Sequence, residues 1–198
     1  MRVGVTGNYA SGKGTVCDIF GEFGAYHIDT DVISREISSP GTNGYQRIIN
    51  CFGNSYLLDS GELDRRKLGK AVFTDPTMLS ELTSILYPLI LEQTLKLSQD
   101  NSKIHMINAP VLFEAGFDRY MDTIIVVSAP LSSSINRGKI RDGLSTEEIL
   151  SRLENQISLN EKIKAADYVI DNSGTIEQTR IQAEAIWNNL ISSKKTLM

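Results

Sequence analysis

The chain has 198 residues, a length that fits one domain with room for insertions. Its formal net charge of −4 argues against sequence-independent nucleic-acid binding, which needs a basic face to displace counterions. Its two cysteines, Cys17 and Cys51, stand in no C-x-x-C or Cys/His ligand spacing, so they read as buried, inert thiols in a reducing compartment and offer no zinc site.

The first predicted element is an apolar strand over residues 2–6, and it runs straight into Gly7-Asn8-Tyr9-Ala10-Ser11-Gly12-Lys13-Gly14-Thr15, with a helix starting near Lys13. A strand that opens the chain leaves no room for a signal peptide, and no apolar run approaches the ~20 residues of a membrane span, so a cytoplasmic enzyme without membrane partners is expected. A loop that turns successive N–H groups around anionic oxygens has no room for side chains at its tight points, where Gly7 and Gly12 stand. Lys13 adds a charge the backbone cannot, and the helix aims its first amides and positive dipole end at the same oxygens. A G-x-x-x-x-G-K string arises by chance in on the order of 5% of chains this long. The strand before it and the amphipathic Val16, Ile19, Phe20, Phe23 pattern after it favour a nucleotide-phosphate site over a bare glycine-rich turn. Its expected contacts are Gly7, Ala10, Ser11, Gly12, Lys13, Gly14 and Thr15. Such loops follow the lysine with a Ser or Thr whose hydroxyl binds Mg²⁺; Gly14 occupies that position and Thr15 carries the first hydroxyl. Mg²⁺ is therefore expected on phosphate oxygens and water, with no protein residue assigned as its ligand.

Further strands are predicted at 25–28, 104–109, 123–129 and 168–170. Their apolarity is continuous rather than alternating, as in strands covered on both faces, which gives an α/β fold: a doubly wound, five-stranded parallel sheet with ligands at the carboxyl ends of its strands. His27 and His105 alternate with apolar residues and read as structural. Asp29 and Asp31 end the second strand on the edge that carries the phosphate loop. Asp31 is either a carboxylate of the site or simply the N-cap of the helix that begins at Val32. About 75 residues separate the second and third strands, too many for one crossover helix. The inserted material reads as helical, over 32–37, 44–52, 64–73 and 76–97, the last kinked or divided at Pro88.

After the fourth strand, Pro130 opens a helix carrying Asn136-Arg137-Gly138-Lys139-Ile140-Arg141-Asp142-Gly143. Arg137 and Arg141 share a helix face, which is either a solvated basic face near a helix C-terminus or, beside a phosphate loop, a mobile arginine lid; the loop favours the lid. Ser145 with Glu148 and Thr175 with Gln178 form capping boxes. In the last helix Ile176, Ala183, Ile186, Leu190 and Ile191 form a stripe expected to pack on the core, and residues 192–198 are expected to fray.

Taken together these motifs resemble the dephospho-CoA kinase family over nearly the whole chain. The matching stretches are the loop at 7–15, Ile28-Asp29-Thr30-Asp31-Val32-Ile33-Ser34-Arg35, Pro40-Gly41, Phe52-Gly53, Gly61-Glu62-Leu63-Asp64-Arg65-Arg66-Lys67-Leu68 and Val72-Phe73. Later come Pro110-Val111-Leu112-Phe113-Glu114, Arg137, Arg141-Asp142-Gly143, Arg152 with Gln156, Lys162, and residues 166–174. The resemblance implies transfer of the ATP γ-phosphate to the ribose 3′-hydroxyl of dephospho-CoA, with ATP and Mg²⁺ as cofactors. It also implies a P-loop kinase core (1–30, 98–130 and 166–198), a helical substrate subdomain (about 31–97) and a lid (about 131–160). By that likeness Asp31 accepts the hydroxyl proton, Lys13 holds phosphate, Arg141 is the lid arginine, and Asn172 and Gly174 lie near the adenine. The chain departs from the family at Gly14, where Ser or Thr is usual, and at Tyr87, where His is frequent. The GKGT ending also belongs to nucleoside monophosphate kinases, the alternative enzyme class. A nucleotide-dependent switch would want an N-K-x-D segment for guanine, and none occurs. The sequence leaves the oligomeric state open, a monomer included.

Overall fold

Residues 1–196 are described by the computed structural model. Within them the last helix continues through Thr196, so residues 192–196 are helical; Leu197 and Met198, the rest of the stretch expected to fray, lie outside the described residues. Two compact units emerge: Met1–Ile28 together with the chain from Asp100 on, and Asp29–Gln99.

The first unit is built on β1 (Arg2–Thr6), β2 (Tyr26–Asp29), β3 (His105–Asn108), β4 (Thr123–Ser128) and β5 (Tyr168–Asp171). They form a parallel sheet in the order β2-β3-β1-β4-β5. Each strand lies within a residue or two of its expected bounds. Val3 and Val5 of β1 share one face with Met106, Ile125, Val127 and Ile170, against which α1 (Lys13–Glu22) packs Val16, Ile19 and Phe20, and α9 (Ile176–Thr196) packs Ala183, Ile186 and Leu190. The rings of Phe20, Phe23 and Trp187 join the two helices, each pair of centroids 6.3 Å apart. The opposite face is also dry: Ile107, Ile124 and Val126 are buried. There Gly4 leaves the gap into which Leu112 and Met121 fit, since a Cβ would stand 2.8 Å from Leu112 Cδ1 and 2.9 Å from Met121 Cγ. Two covered faces are the physical reason for strands of unbroken apolar residues.

Between β4 and β5 lie α6 (Leu131–Asp142), α7 (Thr146–Glu154) and α8 (Leu159–Lys164). Pro130 stands at the start of α6, and the expected Ser145/Glu148 box caps α7. The short α8 was not expected; a second box, Ser158/Glu161, starts it. His105 is buried with Nε2 2.9 Å from the Asp100 carbonyl, a structural role.

The second unit holds α2 (Thr30–Ile37), α3 (Asn43–Phe52), α4 (Arg65–Thr74) and α5 (Pro76–Leu97) around Ile48, Leu63, Leu68, Val72 and Ile85. Thr42, Asp64 and Asp75 accept hydrogen bonds from the first amides of α3, α4 and α5. Helix α5 is not divided at Pro88 but continues through it. Arg65 ties α4 to α2, donating to Ser38 Oγ at 2.9 Å and to the Arg35 carbonyl at 3.1 Å. One sequence expectation fails here: Cys17 is buried as foreseen, but Cys51 is exposed on α3, its thiol pKa raised by desolvation and by the neighbouring Glu81 carboxylate. The apolar positions of α3 that reach the core, such as Ile48, leave Cys51 on another face.

Candidate active site

At the carboxyl end of β1 the chain turns on Gly7, whose φ is +143°, and a Cβ there would fall on the Val127 carbonyl oxygen. Gly12, with φ +96° and ψ 22°, is the left-handed N-cap of α1 and makes no side-chain cap hydrogen bond. Only glycine suits both demands at once. Between them Ala10 also takes a positive φ of 55°. The first amides of α1 therefore face the loop without a capping side chain, the arrangement that binds anions. Buried within the same loop, Asn8 Oδ1 and Ser11 Oγ make no hydrogen bond, so polar capacity remains there for a ligand.

Lys13 is only 7% exposed. Its Nζ donates to the carbonyls of Gly7 at 3.0 Å and Asn8 at 2.9 Å, which holds the ammonium over the loop it belongs to. Gly14 is the second residue of α1; its φ is not positive, and a Cβ there would meet nothing within 4 Å. Thr15 is exposed.

The loop is held from outside by a guanidinium and an amide that donate to backbone carbonyls. Arg137, on α6, gives Nη1 to the Ser11 carbonyl at 3.1 Å and the Ala10 carbonyl at 3.5 Å, and Nη2 to the Asn172 carbonyl at 3.2 Å. Asn172 in turn donates Nδ2 to the Ser11 carbonyl at 2.8 Å, while its Oδ1 accepts from Thr179 at 2.9 Å. The Asn172 side chain, expected beside adenine, thus makes its hydrogen bonds to the loop and to α9, and Arg137, expected in a lid with Arg141, is a clamp on loop carbonyls.

Arg141 follows a different course. It donates Nε and Nη2 to the two carboxylate oxygens of Asp142 at 2.9 and 2.8 Å. That fork is the first cause of the raised Arg141 pKa and of the lowered Asp142 pKa, so both groups are charged at neutral pH. The Asp142 carboxylate also accepts from the Tyr9 hydroxyl, whose pKa is raised by burial first and by Asp142 second.

A cleft of about 460 Å³ opens among these groups, lined by Ala10, Gly12, Thr15, Arg137, Ile140, Arg141, Asn172, Gly174 and Ile176. It brings together five of the residues expected to bind the nucleotide with Arg141; Gly7, Ser11, Lys13 and Gly14 do not line it. Ile176 corrects the helix-stripe expectation. It is 55% exposed and faces the cleft, because helical periodicity cannot separate a first-turn residue on the core from one at a pocket mouth.

Beneath the loop, Lys162 is fully buried, with Nζ 2.9 Å from Glu114 Oε1 and donating to the Pro110 carbonyl at 3.1 Å. Glu114 Oε1 also accepts from the Ile157 amide at 2.9 Å, and the Pro110 carbonyl from Thr6 Oγ1 at 3.5 Å. This pair joins the segment after β3 to the start of α8 and to the last residue of β1. In the sequence Lys162 and Glu114 stand out only as matches to the family, because their pairing spans 48 positions of the chain and no local pattern signals it.

In the second unit, Asp29 rather than Asp31 caps α2: its carboxylate accepts from the amides of Asp31 at 2.8 Å and Val32 at 3.3 Å. Asp31 is an exposed residue of the first helical turn. The cap alternative for Asp31 is overturned because Asp29 keeps the extended backbone of a cap, φ −105° and ψ 115°. Among the described residues no group of three or more His, Cys, Asp or Glu could hold a metal, and no helix is long and apolar enough to cross a membrane.

A parallel sheet in this order, with an amide-lined loop at the end of its central strand and a lysine at the start of the following helix, is the framework of the P-loop kinases. The family model for dephospho-CoA kinase, CoaE, matches residues 1–178. A dephospho-CoA kinase of Carboxydothermus hydrogenoformans is 42% identical over 184 residues, covering 91% of this chain and 89% of that protein. Among solved structures, dephospho-CoA kinase from Campylobacter jejuni is 28% identical with a TM-score of 0.67, covering 100% of this chain and 98% of that one. A crystal structure from Thermus thermophilus, TT1252, is 30% identical with a TM-score of 0.81, covering 96% of this chain and 97% of that one. The chain belongs to the dephospho-CoA kinase family and is an ATP-dependent kinase. The match disfavours the nucleoside monophosphate kinase alternative.

Proposed function

We propose that the chain performs its family's reaction, moving the γ-phosphoryl group of ATP to the ribose 3′-hydroxyl of dephospho-CoA, with its own residues in the following roles. The amides of the loop and the Lys13 ammonium hold the β and γ phosphates, where fixed positive charge is worth most because water is excluded. Arg137 and Asn172 keep the loop in that shape. The cleft lined by Ala10, Gly12, Thr15, Asn172, Gly174, Ile140 and Ile176 takes the rest of the nucleotide. Arg141 exchanges Asp142 for the transferring phosphoryl group when the lid closes. Asp31, two residues beyond the end of β2, orients the 3′-hydroxyl and takes its proton as the new O–P bond forms; the breaking O–P bond leaves its electron pair on the β-phosphate of ADP.

Mg²⁺ would be held on phosphate oxygens and water, since Gly14 offers no side chain, and would supply neutralising charge to the phosphates. A reducing cytoplasm suits two free thiols, one of them exposed. The observation that carries the reading is the uncapped, left-handed start of α1 at Gly12 beside the buried Lys13. ADP release measured with dephospho-CoA and with AMP, CMP, GMP and UMP as acceptors tests it: dephospho-CoA is expected to be preferred strongly, and an equal or better rate with a nucleoside monophosphate would overturn the assignment of acceptor.

A further inference from the structure

An anion-binding loop gains nothing from a large side chain, yet Tyr9 stands in the middle of this one. Its surroundings are the lid rather than the loop. The backbone N–H donates to Gln156 Oε1 at 3.0 Å, and the ring occupies the gap left by Gly138 on α6. A Cβ at Gly138 would come 2.7 Å from Tyr9 Cε1, so any other residue there would displace the ring from its place against the helix. The guanidinium carbons of Arg141 and Arg152 each lie 5.5 Å from the ring centroid, and the hydroxyl donates to Asp142, the carboxylate that also grips Arg141. Two cations against one ring, with an anion at its edge, match the charge distribution of an aromatic: a negative face and a positive rim. Planar guanidinium groups also stack on such a face, which restricts side chains otherwise rich in rotamers.

We propose that Tyr9 is a positioning residue for phosphoryl transfer, holding Arg141 and Arg152 in register with the phosphate loop from inside that loop. The proposal rests on the reading of Arg141 as the lid charge. When Arg141 leaves Asp142 for the phosphoryl group, the ring remains beneath it and limits where the guanidinium travels. Tyr9 thereby makes the order of the loop and the placement of the lid charges one event.

The test compares kcat and KM for ATP in the unaltered enzyme, Tyr9→Leu, Arg141→Met, and a series with phenylalanine, difluorophenylalanine and trifluorophenylalanine at position 9. Fluorination keeps the ring's shape while weakening its negative face, so the series reads the cation contact even if Tyr9→Leu does not fold. Tyr9→Leu is expected to lower kcat about tenfold with KM for ATP changed less than about threefold, the scale two cation contacts to a ring supply. Phenylalanine should recover most of that loss, and kcat should then fall steadily with each added fluorine. In an Arg141→Met, Arg152→Met background the dependence on position 9 should vanish. A flat fluorine series with both arginines intact, where Arg141→Met by itself impairs the enzyme, would overturn the role of Tyr9 alone. Unchanged turnover in Arg141→Met would overturn the lid reading and this inference with it.

Discussion

Asp29 and Asp31 show how two identical side chains two residues apart are given different work by the backbone. Asp29, still extended, spends its carboxylate on the first amides of α2; Asp31, already helical, sits in the exposed first turn. Asp31→Asn is expected to cut the single-turnover rate by at least ~10² while leaving ATP affinity nearly unchanged. The α2 cap should survive that change, because Asp29 supplies it, whereas Asp29→Ala should cost about 1 kcal/mol of stability. A single-turnover rate unaffected by Asp31→Asn would remove its carboxylate from the chemistry. The sequence could not separate the pair, since both carboxylates stand within three residues of the first apolar position of the helix and only the φ and ψ of the chain decide which one caps.

At the scale of elements, Gly14 illustrates a position whose residue type is not demanded by geometry. It is helical and faces open space, so Gly14→Ser should leave the fold intact and lower the Mg²⁺ concentration for half-maximal rate. A magnesium titration of both proteins checks this, and severe inactivation by serine would contradict it. The Lys162–Glu114 pair makes the opposite case. Lys162→Met strands a carboxylate that bridges the segment after β3 to α8, and breaking such a buried pair costs about 3–5 kcal/mol. Denaturant unfolding should register that loss, and adding Glu114→Gln to Lys162→Met should restore part of it. The strands were legible because coverage on both faces leaves an unbroken apolar run in the sequence. Helix α8 was not, being six residues with three charges and less than two turns of periodicity. Nor was the setting of Ile176, because an apolar residue at helical spacing looks the same whether it meets the core or a cleft, and the lack of ligand spacing around Cys51 says nothing of its exposure.

For the whole molecule, what the sequence made plain is what lies close together along the chain: the loop from Gly7 to Thr15 and the order of the family's segments, which the family match over residues 1–178 bears out. What it concealed is long-range. Tyr9 meets Arg152 and Gln156, Arg137 meets Ser11, and Lys162 meets Pro110, and no periodicity encodes such pairings. The central claim is that these parts serve one transfer, from ATP to the 3′-hydroxyl of dephospho-CoA, made at the loop that carries Lys13. The most direct measurement is phosphorus NMR of the product formed from ATP and dephospho-CoA by the unaltered enzyme and by Lys13→Ala, each first shown by circular dichroism to be folded. One new 3′-phosphomonoester per ADP released is expected, with a rate reduced by about 10²–10³ or more in Lys13→Ala. Phosphate appearing at another position, or a folded Lys13→Ala protein turning over like the unaltered one, would contradict it.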